Sequence, residues 1–341
     1  MKRMNKWERI EATLAGAEVD RVPMGFWRHY FLQEWAPRRL AELTLDFHRR
    51  FDTDLVKLTP SGIYPLQDWG PTIRFGRDDH TSPQYVAAAV ASAEGWPELP
   101  RLDVTKGSWG RELETIHHLS TALADTAPLL MTIYSPLTIA SFLCWDSDSR
   151  DRVVHDLRDS PRQLHAGLET IRDVVMDYAA ACLEAGATGL FFATNMTTFD
   201  ALTAAEYREF GVAYDLPILE TIKDRSRLTM LHICRKNIMF DLVADYPVDV
   251  LHWADRAGPP TLASAQQITD KAVSGGLSVE TLRNGTQDEV TTEVREAIAQ
   301  TEGQGFILAA GCVIDTHTPE SNLHAARRAS ESTNAIEGAD Q

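Results

Sequence analysis

The stretch from Gly189 to Cys234, GLFFATNMTTFDALTAAEYREFGVAYDLPILETIKDRSRLTMLHIC, decides the fold. It opens on a short apolar run, GLFFAT (189–194), and then places Thr203 three residues before Glu206, the reciprocal capping pattern of a helix start. Helical spacing follows, and a second apolar run, LTMLHIC (228–234), closes the stretch. Strand, helix, strand is the building unit of a parallel α/β sheet.

Working outward, the same alternation recurs along the chain. Apolar, β-rich runs bounded by turn residues lie at VPMGFW (22–27), LVKLTP (55–60) and LLMTIYSP (129–136). Others follow the opening stretch at DVLHWAD (249–255), AVSGGLS (272–278) and GFILAAGC (305–312), which makes eight with its own two. Helix-like segments separate most of them. Residues 160–186 carry apolar positions at helical spacing and end on Gly186, and residues 286–305 start at Thr286 and close with Gly303. Strand then helix, eight times over, predicts an α/β fold, a (β/α)8 TIM barrel. A doubly wound sheet is the alternative, but neither GxGxxG nor GxxxxGK[ST] occurs.

One barrel domain is expected over residues 1–328. An insertion, about 61–128, falls between the second and third strands; within it DWGPTIRFGRDDHTSPQYV (68–86) reads as a hairpin over part of the barrel mouth. The polar, acidic residues 329–341 read as a disordered tail.

The 341 residues carry a formal charge of -16, which argues against nucleic acid as a partner. No apolar run is long enough for a membrane span, and MKRMNKWERIEATLAG (1–16) lacks the apolar core of a signal peptide, so a cytoplasmic protein is expected. The four cysteines are too few for a disulfide scaffold, and Cys144 and Cys182 read as buried, inert thiols.

His232 and Cys234 are two apart in a strand and therefore share a face. They end the fifth strand, and Cys312 ends the eighth; in a barrel both ends reach the same rim, where the chemistry of this fold collects. Two thiolates and an imidazole form a zinc set that leaves a fourth position open, the mark of a catalytic rather than a structural site.

With these motifs in place, the chain resembles the uroporphyrinogen decarboxylase superfamily, and within it the zinc-dependent methyltransferase branch that includes methylcobalamin:coenzyme M methyltransferase. The resemblance is carried by ERIEATLAGAEVDRVP (8–23), DLVKLTPSGIYPLQDWG (54–70), SPLTIAS (135–141), LTAAEYREF (202–210), HIC (232–234) and GFILAAGCVIDTHTPESNL (305–323). It implies a zinc ion held by His232, Cys234 and Cys312, which binds a thiol substrate as thiolate for attack on a methyl group, commonly one carried by a corrinoid. The decarboxylases' Arg-rich segment is missing after the first strand, where GFWRHY offers only Arg28, so porphyrinogen decarboxylation is not expected. The corrinoid signature DxHxxG is also unmet, because DDHTSP (78–83) ends in proline. A corrinoid, where one is used, comes from a partner protein or from solution.

Asp255 ends the sixth strand as a candidate fourth ligand or base, and His252, on the opposite face by alternation, reads as structural. Trp27, Arg28, His29 and Tyr30 follow the first strand and are candidates for substrate contact, with His29 as acid or base. Lys57, a charge inside a strand, and Asn195, at the end of the fourth, complete the candidate substrate-binding set. The function expected is methyl transfer to a zinc-activated thiol or similar small-molecule acceptor, from a corrinoid or a methylated small molecule. The alternatives are a lyase acting on a small carboxylate and a non-catalytic ligand-binding protein. Donor, acceptor and oligomeric state are left open at this stage.

Overall fold

A computed structural model describes residues 3–145 and 151–331. Its strands, in chain order, are β1 (Met24–Gly25), β2 (Val56–Leu58), β3 (Thr72–Arg74), β4 (Gln84–Ala87), β5 (Leu129–Tyr134), β6 (Gly189–Thr194), β7 (Met230–Ile233), β8 (Val250–Trp253), β9 (Ala272–Leu277) and β10 (Phe306–Ala310). Eight of them form one parallel sheet in the order β1-β10-β9-β8-β7-β6-β5-β2. First and last strands are neighbours, so the sheet curls into a nearly closed barrel, and the doubly wound alternative falls away.

The seam between β1 and β2 is joined by a side chain rather than by a ladder. Asp54 donates its backbone N–H to the Met24 carbonyl at 2.7 Å, and its carboxylate accepts the Met24 N–H at 2.8 Å. That carboxylate is fully buried and takes Nη1 of Arg9 and Nη1 of Arg21, each at 2.6 Å. Two guanidinium groups offset the cost of burying the charge. Arg9 belongs to the helix Lys6–Leu14, whose Ile10 and Leu14 pack among the residues inside the barrel.

Alternation along the strands divides the interior from the outer layer. Inward go Leu55, Leu130, Phe191, Met230, Val250 and Ile307. Outward go Val56, Leu58, Met131, Leu231, Leu251, Trp253 and Leu308, which pack beneath the helices in the main core. The helix Pro161–Glu184 ends as expected, with Gly186 at φ 109. The segment after Thr203 starts with the expected capping box, but it is not one helix: a π turn over Arg208–Val212 separates Ala204–Tyr207 from Ala213–Ile222.

Between β2 and β5 lie the antiparallel hairpin β3–β4 and, later, the helix Gly107–Leu123, which packs in the outer ring against the helix Pro37–Phe51. The hairpin reaches two loops at the mouth. Asp79 accepts the Leu32 N–H and a Gln33 amide hydrogen, both at 3.0 Å; His80 pairs with Thr316 at 2.8 Å and stacks on His317. The final helix ends at Ala329, and most of the expected tail, residues 332–341, lies outside the described residues. No helix among the described residues is long and apolar enough to cross a membrane.

Candidate metal centre

The chain brings His232, Cys234 and Cys312 together at the C-terminal rim of the barrel. One imidazole nitrogen and the two sulfurs lie within 4.8 Å of one another, with His232 Nε2 3.7 Å from Cys312 Sγ. Zinc bonds of about 2.0 Å to nitrogen and 2.3 Å to sulfur put tetrahedral ligand atoms about 3.3–3.8 Å apart. The donor set therefore fits in chemistry, and the 3.7 Å between His232 Nε2 and Cys312 Sγ falls within that range. Gly311 helps deliver Cys312: a Cβ there would meet Ala254 Cα at 2.6 Å, so only glycine lets the chain leaving β10 run this close.

Hydrogen bonds fix which nitrogen of His232 faces the centre. His252 Nε2 lies 2.8 Å from the Ala310 carbonyl, which can only accept, so His252 carries its proton there. Its Nδ1 then accepts from His232 Nδ1–H at 2.8 Å, which leaves the Nε2 lone pair of His232 turned toward the sulfurs. Burial, helped by His232, pushes His252 down to about 3, so it stays neutral. His232 is also stacked on Phe191, with centroids 5.3 Å apart.

The neighbouring Cys234 thiol and the His232 ring hold Cys312 well below the usual thiol range, while Cys312 and burial push Cys234 well above it. Backbone N–H groups of Arg235 and Val313 point back at the two sulfurs. The turn after Cys234 is tight, with Arg235 at φ 90 and Asn237 at φ 49, values that side-chain-bearing residues rarely adopt and that cluster at functional sites.

Trp27 and Lys57 join the three ligand candidates inside the barrel. Lys57 Nζ lies 4.6 Å from the Phe191 centroid and 5.4 Å from that of Trp27. His29 pairs through Nδ1 with Glu34 at 3.2 Å, and Glu34 is buried with its Oε1 unpartnered among the described residues. Arg28 and Tyr30 turn to each other instead, the guanidinium 5.2 Å over the ring, and the Tyr30 hydroxyl donates to the Leu43 carbonyl at 3.4 Å. Asn195 lines a cavity of about 500 Å³ with Phe142, Met196, Arg235 and Lys236, beside the Cys234 turn.

Alternation does put Asp255 and His252 on opposite faces, but His252 has the inner one. Asp255 follows the outward parity of Leu251 and Trp253, and its Oδ1 accepts the Gly276 N–H at 2.8 Å. It stands outside the group of three. His252 is thus the residue behind the ligand, and His252→Phe is expected to lower metal affinity about 10–100-fold while preserving ring volume. Competition against a chromophoric chelator measures this; unchanged affinity would mean that His232 is oriented without it.

The sequence also gave no warning of Tyr134. It ends β5 facing inward, its hydroxyl has no hydrogen-bond partner among the described residues, and burial raises its pKa with further contributions from Cys312, Cys234 and Glu34. A tyrosine at a strand end reads as packing; only the register shows that it faces the centre.

Residues 5–332 match the family described as Uroporphyrinogen decarboxylase (URO-D). The chain belongs to the URO-D family. Within reach of this URO-D chain is the methylcobamide:CoM methyltransferase MtbA of Methanosarcina mazei, 22% identical over 93% of this chain and 94% of that protein. The uroporphyrinogen decarboxylase of Psychrobacter arcticus is 28% identical over 80% of this chain and 76% of its own. A solved methyltransferase from Methanosarcina mazei superposes with a TM-score of 0.83 at 21% identity, covering 97% of this chain and 99% of that one, which shows the same fold.

Proposed function

We propose that this chain transfers a methyl group to a thiol, using a zinc ion held by His232, Cys234 and Cys312. The observation that carries the reading is the convergence of one oriented imidazole and two thiols at the mouth, a group that no fourth side chain joins among the described residues. Similarity to MtbA over nearly the full length supports the reaction class. Zinc, when bound, supplies the charge that keeps a coordinated thiol deprotonated at neutral pH.

The remaining steps belong to the chain's own side chains. His29, oriented by Glu34, takes the proton the thiol loses; we assign it this role over Asp255, whose carboxylate is engaged by Gly276. Trp27 and Tyr134 wall the acceptor's sulfur, and Asn195 faces the space for the rest of it. The methyl donor is a corrinoid, free or carried by a partner protein, or a methylated small molecule. Free thiols at the centre suit the reducing cytoplasm. Porphyrinogen decarboxylation is disfavoured, because Arg28 is the only arginine in 24–35 and lies over Tyr30.

The test is methylcobalamin consumption by the zinc-loaded protein against a panel of thiols. Thiol-dependent loss of methylcobalamin, with matching thioether formed and absent in zinc-free protein, is expected. Activity indifferent to zinc, or decarboxylation of uroporphyrinogen III in its place, would overturn the reading.

A further inference from the structure

Lys57 poses an electrostatic problem that the proposed ligand set does not use. It sits in the middle of β2 on the inner face, 6% exposed. Its one hydrogen bond in the described structure goes to Thr59 Oγ1 at 3.2 Å, and no carboxylate pairs with it among the described residues. Buried lysines are almost always paired, since an isolated ammonium in a low-dielectric interior is costly. The ring faces of Trp27 and Phe191 offset only part of that cost. Burial accordingly lowers its pKa to about 7, and the influence opposing that shift comes from Cys312. An anion is missing from this wall of the barrel.

Counting charge at the centre shows when that anion arrives. A neutral imidazole, two thiolates and a zinc dication sum to zero, so the resting site offers Lys57 nothing. A third sulfur, bound as thiolate, makes the sum negative by one. His252 is neutral and supplies no countercharge, the Tyr134 hydroxyl stays protonated, and a proton taken by His29 is matched by the Glu34 carboxylate on which it rests.

We propose that Lys57 is the counter-charge for the incoming substrate thiolate, a positioning residue that stabilises the ligand-bound centre rather than the metal site itself. This rests on the function proposed above. It predicts a division between two affinities that a merely structural lysine would not produce.

The experiment compares wild type with Lys57→Met, which keeps the stem and removes the charge, and with Lys57→Arg, which keeps the charge. Zinc affinity is measured by chelator competition. Binding of 2-mercaptoethanol, a thiol with no charged group of its own, is followed by proton release to a pH indicator and by the sulfur-to-metal absorption of cobalt(II)-substituted protein. Lys57→Met is expected to hold zinc as wild type does, while thiol affinity at pH 7 falls about tenfold or more and half-binding moves up by about one pH unit or more. Lys57→Arg should recover much of the loss.

Three outcomes would overturn the proposal. Unchanged thiol binding in Lys57→Met would remove the role. Loss of zinc along with thiol would make the residue part of the metal site's support. A loss confined to thiols bearing a carboxylate or sulfonate, with 2-mercaptoethanol unaffected, would assign Lys57 to the substrate's own head group. If wild type itself takes up no thiol, the methyl-transfer reading falls and this proposal with it; if wild type binds thiol and Lys57→Met binds it equally well, this proposal alone falls.

Discussion

Cys312→Ser protein is expected to keep its barrel and lose its metal. The thiol sits on the loop after β10, only partly buried, so the substitution leaves the strand ladder and the main core untouched. A serine hydroxyl stays protonated at neutral pH and is a poor zinc donor, so affinity should fall roughly a hundredfold or more, and methyl transfer with it. Cys234→Ser should behave alike. Metal content after gel filtration, beside a far-ultraviolet circular dichroism spectrum, separates loss of zinc from loss of fold. Full zinc retention in the double variant would dismiss the assignment of these three ligands.

The second large effect concerns stability and lies at the opposite end of the barrel. Asp54→Ala strips two buried guanidinium groups of their shared partner and removes the acceptor for the Met24 N–H. Arg9 keeps its pair with Asp20, but Arg21 is left with only Asp52 at 3.9 Å, and breaking a buried ion pair from one side typically costs about 3–5 kcal/mol. A urea titration should show a shift of that size. A shift below about 1 kcal/mol would mean that water reaches the seam and that Asp54 does not close it.

These two sites differ in how visible they are in the sequence. Parallel strands covered on both faces read as continuous apolar runs, which is why GLFFAT (189–194) coincides with β6 to the residue. The run at 22–27 shrinks to two residues in β1, because the ladder there exists only toward β10 and a side chain completes the other edge. No period in the sequence announces a carboxylate standing in for a strand. The clustering of His232, Cys234 and Cys312 was legible because the first two are local and barrel geometry carries the third to the same rim.

The residues around the ligands were harder to read. Alternation says that His252 and Asp255 face opposite ways, but it does not say which faces in; that depends on the register of β8 against β7, where His252 lies beside His232. Glu34 and Tyr134 carry no local signal, being a loop acid and a strand-end aromatic. Lys57 was legible for the reason that makes it interesting, since a charge in a buried strand needs an explanation.

His252 hands its hydrogen bond to the Ala310 peptide carbonyl rather than to an anion. Where a carboxylate stands behind a ligating histidine, it makes the ring a stronger donor and quiets the metal. Here the relay ends on a neutral dipole, so in the proposed centre His232 would donate without a carboxylate behind it and the two thiolates would be all the negative charge the ligands bring. A zinc ion held as proposed would stay electron-poor toward a further sulfur, and the peptide on which the relay ends, two rings away, would act on that demand alongside Lys57.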